Sequence, residues 1–126
     1  MDTAELARRI KDVAYLEGDF VLRSGQRSSY YLDKYLFETQ PEILAELGRQ
    51  FAAHATDVDV IAGPELGAVA LAAATSLACG KPFAIVRNAA KDYATAKVVE
   101  GTPVTGKRVL LIEDVDTTAG AALAAA

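Results

Sequence analysis

Histidine, cysteine and methionine each occur once in this chain of 126 residues, and tryptophan does not occur at all. One cysteine, Cys79, can form no internal bridge, which fits a reducing compartment, and one histidine, His54, excludes a multi-histidine metal site by count. His54 falls near the end of the second helical pattern, where a cation suits the helix dipole. The N-terminal residues lack the apolar core of a secretion signal. The longest uncharged run, residues 66–80, is shorter than the ~20 apolar residues of a spanning helix. No membrane role is expected, and the location expected is cytoplasmic. Basic charge is also scarce: 13 Lys and Arg stand against 17 Asp and Glu, giving a net charge of −4 and a pI near 4.9. A general nucleic-acid binder would show the opposite balance, so no nucleic-acid partner is expected.

What is present is a single domain's worth of apolar sequence, 52% of the chain, with alanine at about a fifth of all residues, far above common usage. Asp2 with Glu5 reads as a capping box for a helix carrying Leu6, Ile10, Val13 and Ala14 on one face and ending at Gly18. Residues 19–22 and 29–32 read as the arms of a hairpin around a polar turn. Thr39, Pro41 and Glu42 mark a second helix start, with Thr39 as its cap and Leu44, Leu47 and Phe51 on its buried face. Beyond it, residues 58–62, 68–78 and 83–86 read as strand, helix and strand, with a turn at 79–82. The aliphatic run 109–112 suits a central parallel strand covered on both faces. Residues 119–126 begin another helix that is too short to stand alone. The fold class expected is therefore α/β, a mostly parallel sheet flanked by helices.

The richest segment is Glu113-Asp114-Val115-Asp116-Thr117-Thr118-Ala119-Gly120. An aliphatic strand delivers two adjacent carboxylates to its C-terminal end, where α/β sheets bind ligands, and hydroxyls at a helix start follow at once. The amides and the Thr117 and Thr118 hydroxyls can hold a phosphate. Glu113 and Asp114 can accept hydrogen bonds from sugar hydroxyls or steady a hard cation such as Mg²⁺. On the residues alone, a strand end followed by an ordinary helix cap explains the segment equally well. Gly63-Pro64-Glu65-Leu66-Gly67 joins a strand to a helix, so its amides face a site at the helix start and its glycines permit close approach of a ligand. An ordinary strand-to-helix turn would look the same. Arg87, Lys91 and Lys97 form a local cation cluster in an acidic chain, suited to clamping an anion or to lying solvated on a loop. Tyr30 and Tyr31 alternate on a strand, so one ring can pack inward while the other faces a flat ligand. Residues 101–107 match most of a phosphate-loop pattern, but Arg108 replaces its Ser or Thr and the segment precedes a strand instead of following one.

The run aliphatic-Glu113-Asp114-x-x-Thr117-Thr118 resembles the phosphoribosyl pyrophosphate (PRPP) motif of type I phosphoribosyltransferases. Three upstream segments are similar to the orotate-using family among them. They are Leu22 to Gly25 with Ser28 to Asp33, like its N-terminal hood; Gly63 to Gly67, like its pyrophosphate loop; and Val86-Arg87 through Lys91-Asp92-Tyr93 to Gly101, like its catalytic loop. The resemblance implies a hood over about residues 1–40, a core over about 41–126, and a C-terminus short of the family's usual length. It implies PRPP and orotate as substrates, Mg²⁺ bound mainly through PRPP with no metal-ligating side chain assigned, and a homodimer in which Lys91 reaches the neighbouring subunit's site. Catalytic roles fall by the same resemblance to Lys91, Arg87 and Asp114. Substrate binding falls to Arg23, Tyr30, Tyr31, Gly63, Pro64, Glu65, Gly67, Glu113, Asp114, Thr117, Thr118 and Gly120. The chain departs from the family where glycines, a proline or a serine are usual: it has Ala68, Ala94, Ala96 and Ala119 for glycines, Ala70 for the proline and Ala121 for the serine. Asn88 stands where a lysine is common, and Asp116 where an apolar residue is. These departures keep open a second reading, a non-catalytic module that binds PRPP or a nucleotide.

Overall fold

The computed structural model describes residues 1–88 and 98–114. Helix α1 (Thr3–Ala14) starts where the capping box predicts, with the Asp2 carboxylate accepting from the Glu5 amide at 2.8 Å. It stops four residues before Gly18, because the chain turns directly into strand β1 (Tyr15–Val21), and Gly18 lies within that strand at a break in its register. Strand β2 (Arg27–Leu32) pairs antiparallel with β1, so the hairpin is present with longer arms than the sequence suggests. Leu6 and Ala14 are buried against Phe37 and Ile43, with Ile10 packed on them, whereas Val13 is exposed.

Helix α2 (Lys34–Glu38) has no sequence forecast, being a little over one turn and too short to display a period. Its Asp33 cap accepts from the Tyr35 amide. Thr39 ends α2 instead of capping the next helix, because its hydroxyl donates back to the Tyr35 carbonyl at 2.6 Å. Helix α3 (Pro41–Ala52) therefore begins at Gln40 with no side-chain cap, the expected proline occupying its first turn.

The core sheet holds β3 (Val60–Pro64), β4 (Phe83–Val86), β5 (Val99–Gly101) and β6 (Val109–Leu111), in the order β5-β4-β3-β6. Strands β4, β3 and β6 are parallel, and β5 is an antiparallel edge of three residues. Helix α4 (Gly67–Cys79) links β3 to β4 and ends at Gly80, so the strand–helix–strand unit is as expected. Ile61 is fully buried at the centre of β3 among Leu71, Ala72 and Ile112, with Leu44, Leu47 and Phe51 of α3 packed on the same cluster. The described helices cover this face of the sheet. The opposite face carries Ala62, Val86, Val99, Val109 and Leu111 around an open cavity of about 370 Å³ that Val104 and Lys107 also line. The second cover expected from the run 109–112 is thus not supplied by a helix among the described residues. Likewise, among those residues no helix is long and apolar enough to cross a membrane.

Candidate active site

Three parallel strands ending at one edge bring the candidate residues together. The backbone of Arg108 bonds Asp59 from both sides, its carbonyl accepting from the Asp59 amide at 2.8 Å and its amide donating to the Asp59 carboxylate at 3.0 Å. This pins β6 beside β3, and the Ile112 amide extends the pairing to the Ala62 carbonyl. Glu113 and Asp114 consequently emerge next to the β3–α4 junction. On the other side, the Glu65 amide donates to the Val86 carbonyl at 2.8 Å, placing Arg87 beside the same junction.

Gly63 and Pro64 prove to be buried strand residues, with only Glu65 and Leu66 between β3 and α4. A methyl group at Gly63 would collide with the Ala68 carbonyl and lie 2.8 Å from the Ala72 Cβ, so its missing side chain lets α4 pack on β3. That is a packing reason, where the sequence suggests room for a ligand. Gly67 differs. A Cβ there would come 2.6 and 2.9 Å from the two carboxyl oxygens of Glu38 and closer still to Oδ2 of Asp114. Two acids therefore converge over the first residue of α4. The Glu65 carboxylate accepts from the Asn88 amide at 2.5 Å, tying this junction to the start of the segment after β4.

The electrostatics follow from burial. The Asp114 side chain is 3% exposed and its Oδ2 lies 3.1 Å from the Lys34 ammonium. Glu38, 2% exposed, is pushed up to about 8, first by burial and then by hydrogen bonding and charge repulsion with Asp114. Glu113 is raised for the same reasons, burial foremost. Burial pulls Lys34 down, but its hydrogen bond and ion pair with Asp114 outweigh that and leave it above its ordinary value. Arg87 faces Glu100 across the β4–β5 pair at 3.6 Å. Arg23 is exposed at the hairpin tip. Tyr30 and Tyr31 are both about half exposed, so neither packs inward. Tyr30 stacks on Tyr15 at 5.7 Å between ring centroids and Tyr31 lies tilted on Phe20. Lys91, Thr117, Thr118 and Gly120 lie outside the described residues.

Sequence reasoning missed Lys34 and Glu38. Their signal was a Lys–Glu pair four residues apart directly after the Tyr30-Tyr31-Leu32-Asp33 segment, but its partner Asp114 is 76 residues further along from Glu38.

A strand-ended carboxylate pair beside a buried strand-to-helix junction, in a mostly parallel sheet packed against helices, is the arrangement of a type I phosphoribosyltransferase core. No protein-family model matches the chain, but individual relatives do. An orotate phosphoribosyltransferase of Nocardioides sp. is 47% identical over 119 residues, covering 94% of this chain and 66% of the relative. That of Methanocella arvoryzae is 44% identical over 127 residues, covering 99% of this chain and 72% of the relative. Among solved structures, orotate phosphoribosyltransferase of Mycobacterium tuberculosis in complex with Fe(III) dicitrate superposes with a TM-score of 0.85 at 34% identity, over 97% of this chain and 72% of that one. The same enzyme in complex with PRPP gives a TM-score of 0.78 at 33% identity, over 97% and 70%. The chain belongs to the orotate phosphoribosyltransferase family, and it spans about two thirds of the length of these relatives.

Proposed function

We propose that this chain transfers ribose 5-phosphate from PRPP to orotate, giving orotidine 5′-monophosphate and pyrophosphate. The single observation that carries the reading is the convergence of Arg87, the 63–67 segment, Glu113 and Asp114 at one edge of the parallel sheet, in a chain whose relatives bear this activity in their names. The C1–oxygen bond to pyrophosphate breaks and its electron pair leaves with pyrophosphate, while the bond from orotate N1 to C1 forms and the N1 proton passes to the departing pyrophosphate or to water. Arg87 meets the departing anion, with Arg23 and Lys91 joining it from the hood and the catalytic loop. Glu113 and Asp114 hold the ribose hydroxyls as C1 gains oxocarbenium character, and Thr117, Thr118 and Gly120 anchor the 5-phosphate.

In this reading Mg²⁺ enters as a companion of PRPP. It supplies neutralisation of the pyrophosphate charge. Tyr30 and Tyr31, exposed on the hood, suit stacking against the pyrimidine. A homodimer accords with the apolar groove of about 700 Å³ between α3 and α4, which carries Leu44, Ala45, Ala70, Ala74 and Leu77, the last 88% exposed. A cytoplasmic location accords with the lone, unpaired Cys79.

Pyrophosphate release that requires both PRPP and orotate tests the reading. Tight PRPP binding with no orotate-dependent release would favour the non-catalytic module instead, which the alanines at 68 and 70, beside the β3–α4 junction, keep in view.

A further inference from the structure

Glu38 has no assigned role, yet it is among the most buried charged residues described, at 2% exposure. It ends α2, the short helix that joins the hood to the core, and it packs over Gly67 against Asp114. Lys34, one turn earlier on α2, holds the same Asp114 carboxylate by an ion pair at 3.1 Å. Two carboxylates buried this close cannot both ionise, and with both ionised neither has a hydrogen to donate. Among the described residues, neither oxygen of a Glu38 carboxylate finds a hydrogen-bond donor. One proton on Glu38 resolves this, making it the donor and Asp114 the acceptor, and burial favours placing the proton there.

We propose that Glu38 is a positioning residue: its carboxyl and the Lys34 ammonium, both carried by α2, form a two-sided seat that fixes the Asp114 carboxylate over the start of α4. The aim of that carboxylate is thereby set from the hood, before any substrate arrives. The proposal rests on the reading above only in taking Asp114 to face the ribose hydroxyls. The seat itself is a property of the protein alone.

Two variants separate donation from bulk. Glu38→Gln keeps a neutral donor in the same space, whereas Glu38→Met fills the space and donates nothing. Steady-state kinetics with PRPP and orotate are expected to leave Glu38→Gln within about threefold of wild type, and to show at least a tenfold loss in kcat/KM for PRPP in Glu38→Met despite a Tm at or above that of wild type. The ¹³C carboxyl resonance of Asp114, followed by NMR without substrate, is expected to be retained in the Gln variant and displaced in the Met variant. Equal kinetics and an unmoved Asp114 resonance in Glu38→Met would overturn the proposal, as would equal damage in both variants. If wild type shows no turnover, the functional reading fails, and the Asp114 resonance alone still decides the seat. Lys34→Met, at a partly exposed position, probes the other side and is expected to displace the same resonance even if Glu38→Met fails to fold.

Discussion

Replacing Gly67 with alanine perturbs the centre of this arrangement with a single methyl group. The added Cβ would lie 2.6 and 2.9 Å from the Glu38 oxygens and nearer still to Asp114, below the 3.0 Å that real Cβ contacts respect. Neither acid has open space to retreat into, since Glu38 is 2% and the Asp114 side chain 3% exposed, and Asp114 is also tied to Lys34. Overpacking of this kind costs about 1–3 kcal/mol. For a domain of this size that lowers Tm by roughly 4–15 °C, readable by calorimetry or circular dichroism. Because the collision falls on a carboxylate assigned to the ribose, kcat/KM for PRPP should fall at least tenfold even well below the new Tm. Shortening Glu38 makes room, so Gly67→Ala should cost less in a Glu38→Ala background, giving a non-additive cycle. A Gly67→Ala protein that melts and turns over like wild type, or an additive cycle, would refute the steric reasoning.

Glu38 also predicts a pH dependence. Its folded-state value, about 8, lies above the ordinary carboxylate value of 4.5, so the native state holds a proton there that the unfolded chain releases. Its stability contribution is complete below pH 4.5 and is lost as pH rises through 8, at no more than about 1.4 kcal/mol per pH unit. Urea titrations from pH 5 to 8 should show this decline in wild type and a flatter profile in Glu38→Gln; parallel profiles would contradict it. Ile61→Ala, at a fully buried position in the central strand, should destabilise by about 2–5 kcal/mol, and a loss under 1 kcal/mol in the same titration would show the core to be misplaced. Lys91→Ala should abolish turnover while leaving PRPP binding, measured by calorimetry, within a few fold; full activity would remove the loop from the mechanism.

The sequence was most legible where short-range chemistry repeats over many residues. The Asp2–Glu5 cap, the Pro41 helix start, the β3–α4–β4 unit and the aliphatic β6 each carry their own signal, and each forms where that signal lies. Boundaries failed where one interaction redirected the chain: Thr39 bonds back to Tyr35, and β1 begins before Gly18 can end α1. Helix α2 and strand β5 are too short to show a period and, unlike the equally short β3, β4 and β6, carry no aliphatic run, so they owe their form to their neighbours. At the site, resemblance found the strand ends, Arg87, Glu113 and Asp114, because motifs are local. Lys34 and Glu38 escaped because their function is defined by Asp114, reached only through the fold. Gly63 and Gly67 look alike in sequence, yet one clears a path for a helix and the other makes room for two acids.

The account stands most directly on the ultraviolet absorbance of orotate in the presence of PRPP and Mg²⁺, followed for wild type and for Asp114→Asn. The expected result is PRPP-dependent loss of orotate, matched mole for mole by orotidine 5′-monophosphate, and a loss of rate of at least a hundredfold in the variant. Orotate left unconsumed by a wild-type protein that binds PRPP, or undiminished turnover in Asp114→Asn, would contradict it.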